Sequence, residues 1–291
     1  MKFDVPQALT TTPLDPELAV FADAVGHALD GVARLGVALS GGVDSALLLA
    51  LAVRRLGGGN VVAVLGVSPS LAAHERAAAY EVASSIGVPV VEVATHEGDN
   101  LAYRANGPDR CFHCKDELFT LISDTVVRQH GLTAVAYGEN ADDARRPDRP
   151  GAQAATNHAV LRPLADAGLT KRDVRRLARA LRLPNAEKPA APCLASRIPH
   201  FSEVTAAKLA QIESAEQALR RLGFSDSRVR HHGEVARVEL PDVELARAVT
   251  PEVRAAIVTG ARAAGFTFVT LDLAGIQSGA FTLSLVPVTH G

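Results

Sequence analysis

The residues in this 291-residue chain best suited to chemistry are its three cysteines, Cys111, Cys114 and Cys193. Cys111 and Cys114 form a Cys-x-x-Cys pair in Arg110-Cys-Phe-His-Cys-Lys115, and Cys193 lies in Pro192-Cys-Leu-Ala-Ser-Arg197. Ionised thiols attack activated acyl groups and bind soft metals, whereas buried thiols behave as small hydrophobes. The pair alone would suit zinc, with His113 as a further ligand, or a redox disulfide. An odd count of three fits a reducing compartment and argues against a disulfide scaffold.

A second candidate is Ser40-Gly-Gly-Val-Asp-Ser45, between an expected strand and an expected helix. Glycines let the backbone approach an anion, and a helix amino terminus offers free N–H groups, so the segment is a phosphate cradle. No Gly-Lys-Ser/Thr follows, so the lysine that grips the β and γ phosphates in P-loop enzymes is missing. Further on, Arg228 and Arg230 alternate along an expected strand and point to one face, where two guanidiniums could clamp a phosphate. Ser196 and Arg197 could complete that pocket, and Arg197 could favour the Cys193 thiolate. The alternative, surface arginines without a role, is ordinary in a chain with 25 Arg and five Lys. Glu213 and Glu216 read as a solvated helix face, and His231 and His232 are left unassigned.

The elements that must position these groups follow from hydrophobic periodicity. An opening helix, Leu14 to Asp30, precedes a short buried strand at Gly36 to Leu39. Helix 46–56, strand 61–67, helix 71–86, strand 89–94, helix 115–130 and strand 134–137 follow. Strands alternating with helices imply a parallel sheet covered on both faces, with ligands beyond the carboxyl ends of its strands. Two long segments, 95–110 and 138–158, read as loops, which at that length in a compact domain are usually functional or disordered. After helix 169–183 comes the proline-rich stretch 184–200, which carries Cys193 and marks a domain boundary. The remainder reads as a small α+β unit: amphipathic helix 203–222, strands 227–232 and 236–240, helix 251–264 and strand 267–273. The expected domains are thus 1–200 and 201–291.

Composition narrows the function classes. Thirty basic against 32 acidic residues leave a formal charge of −2, which supplies no basic footprint for nucleic acid. Aromatic residues are 4% of the chain, too few for a base-stacking platform. No apolar stretch reaches membrane-spanning length, and residues 1–16 lack a signal-peptide pattern, so a cytoplasmic enzyme with no membrane partner is expected.

The cradle resembles the PP-loop of the ATP pyrophosphatases, Ser-Gly-Gly-x-Asp-Ser, which holds pyrophosphate while ATP is split to AMP. The resemblance makes Ser40, Gly41, Gly42, Val43, Asp44 and Ser45 ATP-binding, with Asp44 acting through Mg²⁺. It puts Ser68, in Gly66-Val-Ser68, beside adenine and ribose. Gly138-Glu-Asn-Ala-Asp-Asp143 resembles the Gly-Thr-Asn-x-x-Asp segment of the same superfamily, whose carboxylates could complete the metal site; a solvated acidic loop is the alternative. With Arg149-Pro-Gly151, Arg228-Val-Arg230 and above all Pro-Cys-Leu-Ala-Ser-Arg, the chain from Leu35 to about Gly279 resembles the ATP-dependent sulfur transferases of nickel-pincer nucleotide synthesis. These form the LarE family of lactate racemase maturation.

That resemblance implies a pyridinium mononucleotide substrate with two carboxylates, each adenylated and then converted to a thiocarboxylate, in a homo-oligomeric enzyme. Ser196, Arg197, Arg228 and Arg230 would bind the substrate phosphate, and a metal role at Glu216 becomes possible. Family members with only the cysteine matching Cys193 use it as a sacrificial sulfur donor; members that also carry the pair are associated with a 4Fe-4S cluster on three cysteines. Here Cys111, Cys114 and Cys193 would hold that cluster, leaving one iron open for a sulfide from an external sulfur donor. Zinc, a disulfide releasing sulfur from a Cys193 persulfide, and a sacrificial Cys193 stay open. So do the rival PP-loop chemistries, tRNA thiolation and amidation, and a non-enzymatic ATP-binding or cluster-carrying scaffold.

Overall fold

The computed structural model describes residues 5–146 and 150–277. By backbone contacts the chain divides into two compact units: one runs to Glu97 and resumes over Cys111–Ala191, and the other takes Gly98–Arg110 and the chain from Pro192 onward. Cys193 therefore groups with the second unit, ahead of the boundary drawn from sequence, and so does the short segment ending at Arg110.

The first unit is built on a four-stranded parallel sheet of β1 (Leu35–Ala38), β2 (Val61–Val67), β3 (Val90–Ala94) and β4 (Ala134–Tyr137), in the order β3-β2-β1-β4. The first five residues of β2 are all buried, the near-continuous apolar pattern of a strand covered on both faces. Leu35, Val37, Val61, Ala63 and Leu65 pack into one core with the helices Pro16–His27, Val43–Leu56, Ala73–Ile86 and Lys171–Ala180. Val62, Val64, Val93, Val135 and Tyr137 pack on the opposite side against Phe119, Ile122, Val126 and Ala154. The expected α/β architecture is thus observed, with helices on both faces.

Helix Val43–Leu56 is the best-buried α-helix among the described residues, with ten buried residues among its fourteen. Leu47, Leu48 and Leu49 are fully buried, each worth about 2 kcal/mol over an exposed position. The helix starts three residues earlier than its periodicity suggests, which places Val43, Asp44 and Ser45 in its first turn. The chain order runs from β1 outward to β2 and β3, then returns to place β4 on the other side of β1. The order thus reverses between β1 and β4, the crevice where such sheets bind ligands.

Three segments differ from expectation. The stretch 95–110, read as a loop, contains the short helix Leu101–Arg104. The helix expected from Lys115 begins at Arg110, so Cys111 and Cys114 lie in its first turns. It runs to Leu121, passes through a π-helical turn at Ile122–Val126, and closes with Val127–His130. The polar stretch after β4 contains helices Ala141–Ala144 and Pro150–Asn157 and is not one long loop. Arg149 lies outside the described residues.

The second unit is α+β as expected. β5 (Arg228–His232) pairs antiparallel with β6 (Val235–Glu239), which pairs parallel with β7 (Phe268–Leu271). Residues of helices Ala206–Arg221 and Pro251–Ala263 share its core with Phe224, Val229, Val238 and Phe266. Helix Asp242–Ala248, not foreseen from sequence, joins strand to helix. Among the described residues, no helix is long and apolar enough to cross a membrane.

One close approach fixes the crevice. A Cβ on Gly138, just past β4, would lie 2.6 Å from the Ser45 nitrogen and 2.7 Å from the Asp44 carbonyl carbon. These are backbone atoms that cannot swing aside. Gly138→Ala should therefore lower stability by about 1–3 kcal/mol, the usual cost of overpacking, and weaken ATP binding. Thermal unfolding with and without ATP checks this; an unchanged melting temperature and unchanged nucleotide stabilisation would contradict the packing.

Candidate functional site

In the first unit, the turn from β1 into helix Val43–Leu56 is Leu39-Ser40-Gly41-Gly42. The Leu39 N–H donates to Val64 O, which extends the β1–β2 pairing to the edge of the turn. Gly41 has φ +73°, and a Cβ there would come within 3.3 Å of the Ala79 nitrogen, so glycine is required for both conformation and space. Ser45 braces the turn from within: its hydroxyl accepts from the Ser40 N–H, donates to Gly42 O, and lies 3.2 Å from the Ser40 hydroxyl. The Gly42 N–H donates to the Ser40 hydroxyl at 3.4 Å, and the first-turn N–H groups of the helix have no intrahelical partners, an arrangement able to receive an anion.

Asp44, in the first helical turn, is the electrostatic centre. One carboxylate oxygen accepts from Asn140 Nδ2 at 3.1 Å, and the other forms an ion pair with Lys171. The same Asn140 amide donates to Asp143 at 2.9 Å, which brings two carboxylates to one amide. Hard oxygen ligands of this kind suit Mg²⁺. Asp142 instead accepts the Lys171 N–H at 2.8 Å, so of the two neighbouring aspartates only Asp143 joins Asp44.

Lys171 is the first residue of helix Lys171–Ala180, whose start is fixed by a capping box between Thr170 and Asp173. A cation at a helix amino terminus opposes the helix dipole. The position is locally unfavourable and is offset by its contact with Asp44, the pattern expected of a functional group. Two more residues reach the turn: Asn185 Nδ2 donates to Gly41 O at 3.0 Å, and Lys188 Nζ lies 3.3 Å from the same oxygen. Lys188 also pairs with Glu75 at 2.5 Å. Burial pushes the Glu75 carboxyl up, but hydrogen bonds from His74 and Lys188 outweigh it and hold the group below the usual carboxylate range.

Lys171, Asn185 and Lys188 have nothing in their local pattern to separate them from ordinary polar residues, whereas Asn140 is the Asn of the Gly138–Asp143 segment matched above, in which only the carboxylates were given a role. Ser68, singled out from sequence, accepts from the Ser70 N–H and donates to Glu97 at 2.5 Å. Glu97 is buried, and its second carboxylate oxygen has no hydrogen-bond partner.

In the second unit, Cys193 is exposed and caps a single 3₁₀ turn, Leu194–Arg197. Arg197 is buried and holds this turn from within. Its guanidinium donates to Pro192 O at 2.6 Å, Cys193 O at 3.3 Å and the Ser196 hydroxyl at 2.9 Å, while pairing with Glu216 at 2.9 Å. Glu216 also accepts the Val229 N–H. It is therefore not on a solvated face, as expected from sequence, but tied to both the cysteine turn and β5; Glu213 is half-buried. The signal was present, since Glu216 follows Ile212 by four residues and precedes Leu219 by three, on the buried stripe of helix Ala206–Arg221.

Arg228 and Arg230 are likewise buried in ion pairs. Arg228 pairs with Asp226, and Arg230 pairs with both oxygens of Glu239 while donating to Ser196 O and Gln277 O. His231 is buried with Nε2 3.0 Å from Gln211 Oε1, and burial pushes its imidazole pKa down, with Lys208 adding to the effect. Arg110 donates to Ala195 O at 2.9 Å and to Asn106. The residue before Cys111 is thus bonded to a carbonyl two residues past Cys193.

Cys111 is exposed and Cys114 half-buried, three residues apart on one helix face. None of the three cysteines is in a disulfide. Their donor chemistry suits a soft metal or an iron-sulfur group, and the pair can supply two ligands from one face. Among the described residues, no three of His, Cys, Asp and Glu are gathered as a metal-ligand group.

Comparison with known proteins places this geometry. A family model for asparagine synthase matches residues 18–255. The chain is 34% identical over 258 residues to the pyridinium-3,5-bisthiocarboxylic acid mononucleotide synthase of Lactiplantibacillus plantarum, covering 87% of this chain and 90% of that protein. It is 41% identical over 246 residues to an uncharacterized protein of Synechocystis sp., covering 84% and 91%. An uncharacterized protein of Methanocaldococcus jannaschii is 30% identical over 137 residues, covering 47% of this chain and 53% of its own length.

Glu216 gives a direct test of the cysteine turn. Glu216→Ala would leave the Arg197 guanidinium buried and unpaired, a change that costs about 3–5 kcal/mol in comparable sites. Chemical denaturation should show a loss of this order. A change below about 1 kcal/mol, the range of exposed pairs, would mean that the pair does not hold the turn.

Proposed function

Because the chain belongs to the PP-loop ATP pyrophosphatase family that includes asparagine synthase and the pyridinium-3,5-bisthiocarboxylic acid mononucleotide synthases, we propose that it makes thiocarboxylates from the carboxylates of a pyridinium mononucleotide in nickel-pincer cofactor synthesis. It is an ATP-dependent enzyme. The observation that carries the reading is the convergence of Asp44, Asn140, Asp143 and Lys171 on the start of a glycine-turned helix at the sheet's reversal point.

In the first half-reaction, a substrate carboxylate oxygen attacks the α-phosphorus of ATP, the α–β bridging bond breaks, and pyrophosphate leaves. Gly41, Gly42 and Val43 supply backbone N–H groups to the leaving pyrophosphate, and Ser40 and Ser45 contribute hydroxyls. Asp44, with Asp143, would hold Mg²⁺, whose role is to neutralise charge on the phosphates. Lys171 supplies the cation that a P-loop enzyme takes from its own loop. Ser68 lies at the nucleoside end.

In the second half-reaction, sulfur attacks the acyl carbon and AMP departs with the bonding pair. By the resemblance Ser196, Arg197, Arg228 and Arg230 would orient the substrate phosphate; because the three guanidiniums are buried in ion pairs, direct contact with it would require them to give up those carboxylates. Cys111, Cys114 and Cys193 would hold a 4Fe-4S cluster, which when bound supplies an open iron for a sulfide from an external donor. What supports this is the Cys-x-x-Cys pair on one helix face, which can supply two of the three ligands. A second reading rests on the exposure of Cys193: its thiolate attacks the adenylate, AMP leaves, and elimination releases the thiocarboxylate and leaves dehydroalanine. The enzyme acts in the cytoplasm, as a homo-oligomer, on a small molecule.

Incubation with ATP, Mg²⁺ and the biscarboxylate mononucleotide should release AMP and pyrophosphate. Asp44→Ala should lower that rate by about a hundredfold or more, the usual loss for a group stabilising transition-state charge. AMP formation that persists in the variant would remove Asp44 from the site. The sulfur route is decided by anaerobic purification with iron and labile-sulfide assays, followed by mass spectrometry after turnover. Iron and sulfide with an unchanged chain mass support the cluster. Neither element, with loss of the elements of H₂S at Cys193, supports the sacrificial route.

A further inference from the structure

The Gly41 carbonyl is held from outside the loop by a segment distant in sequence, and this sets the direction of the phosphate-binding peptide. A trans peptide is planar, and its C=O and N–H point in opposite directions. Fixing the Gly41 oxygen therefore also aims the Gly42 N–H, on the same peptide plane; that N–H donates to the Ser40 hydroxyl at 3.4 Å, a long bond that a phosphate oxygen can replace. The oxygen receives Asn185 Nδ2 at 3.0 Å and Lys188 Nζ at 3.3 Å. At φ +73°, Gly41 has the backbone freedom to let this peptide rotate, so the orientation must be imposed.

The imposing segment is itself anchored. Arg175, from helix Lys171–Ala180, donates to Ala186 O at 2.8 Å and to Lys188 O at 3.0 Å, and Lys188 is steadied by Glu75. Asn185 is buried, and its Oδ1 has no hydrogen-bond partner while its Nδ2 serves Gly41. Leaving a buried amide oxygen unsatisfied costs stability. Turning the amide over would place its oxygen against Gly41 O and lose the contact. The segment thus keeps one donor on the loop at the expense of a buried acceptor, a choice that stability alone would not favour.

We propose that Asn185 and Lys188 are positioning residues that lock the Gly41–Gly42 peptide with its N–H facing the pyrophosphate of ATP. This rests on the nucleotide-site reading above and adds residues that the motif itself does not contain. Neither side chain need touch the nucleotide. Asn185 carries no charge, so its effect on an anion cannot be a simple Coulomb attraction. That makes it the cleaner probe of the two.

The test compares pyrophosphate and adenosine binding to the full-length protein by equilibrium dialysis with Mg²⁺ present. Asn185→Ala should weaken pyrophosphate binding by about tenfold, the worth of one well-aimed hydrogen bond to a charged group, and leave adenosine binding unchanged. Asn185→Asp should be worse than Asn185→Ala for pyrophosphate, since it sets a carboxylate against the Gly41 oxygen. Lys188→Arg, which can still donate to Gly41 O and pair with Glu75, should retain most of the affinity lost in Lys188→Ala. If Asn185→Ala does not fold, Asn185→Ser keeps the site small and polar and should give the same split. Variants that bind pyrophosphate like the wild type overturn the proposal, as does a proportional loss of pyrophosphate and adenosine, which would mark a purely structural role. A wild-type protein that binds adenosine but no pyrophosphate, or neither, refutes the nucleotide-site reading itself, and the inference falls with it.

Discussion

An α-helix that starts in the interior leaves its first N–H groups without partners inside the helix, and those groups must be satisfied or left for a ligand. In this protein that helix is Val43–Leu56, the most deeply packed α-helix among the described residues of the first unit. Most of its residues are buried, and β1 leads straight into its amino end through a glycine turn. The neighbouring features of the site answer to this arrangement. Gly138 has no side chain because β4 must end against Asp44 and Ser45. Asn140 caps its own short helix while reaching across to Asp44. Lys171 accepts a poor position in its helix for the same carboxylate.

The second unit solves a related problem with charges in place of backbone amides. A one-turn segment carrying Cys193 has few hydrogen bonds of its own, so its carbonyls would be free to wander. Arg197 gathers them, and Glu216 keeps Arg197 in place. Buried ion pairs rarely add net stability relative to apolar packing, but losing one member is costly. Such a pair fixes geometry more than it strengthens the fold. The cysteine can then remain exposed while the chain on both sides of it is held.

Much of this was legible from the residues. Alternating strands and helices imply the parallel sheet, and the glycine turn marks the start of helix Val43–Leu56, because both are local patterns. What escaped notice came from afar. Lys171 meets Asp44 across 127 positions and Lys188 meets Gly41 across 147, distances that only the sheet order closes. The helix start at Arg110 was missed because the polar run before Lys115 hid it, and periodicity needs apolar residues to be seen. Glu216 was misjudged by residue type, although its spacing put it on the buried side.

The π-helical turn at Ile122–Val126 has a structural consequence of its own. Such a turn accommodates one residue more than an α-helical path would need, so everything upstream is rotated by about 100° relative to a regular helix. The turn itself is anchored by Ile122 and Val126 in the core, and the helix upstream of it by Phe119. Removing a single residue would heal the irregularity only by rotating Phe119 out of the core or by unwinding the helix, so the turn lets the buried face and the face carrying Cys111 and Cys114 both hold their places. The phase of this helix, and not only its composition, is therefore part of what the gene must preserve.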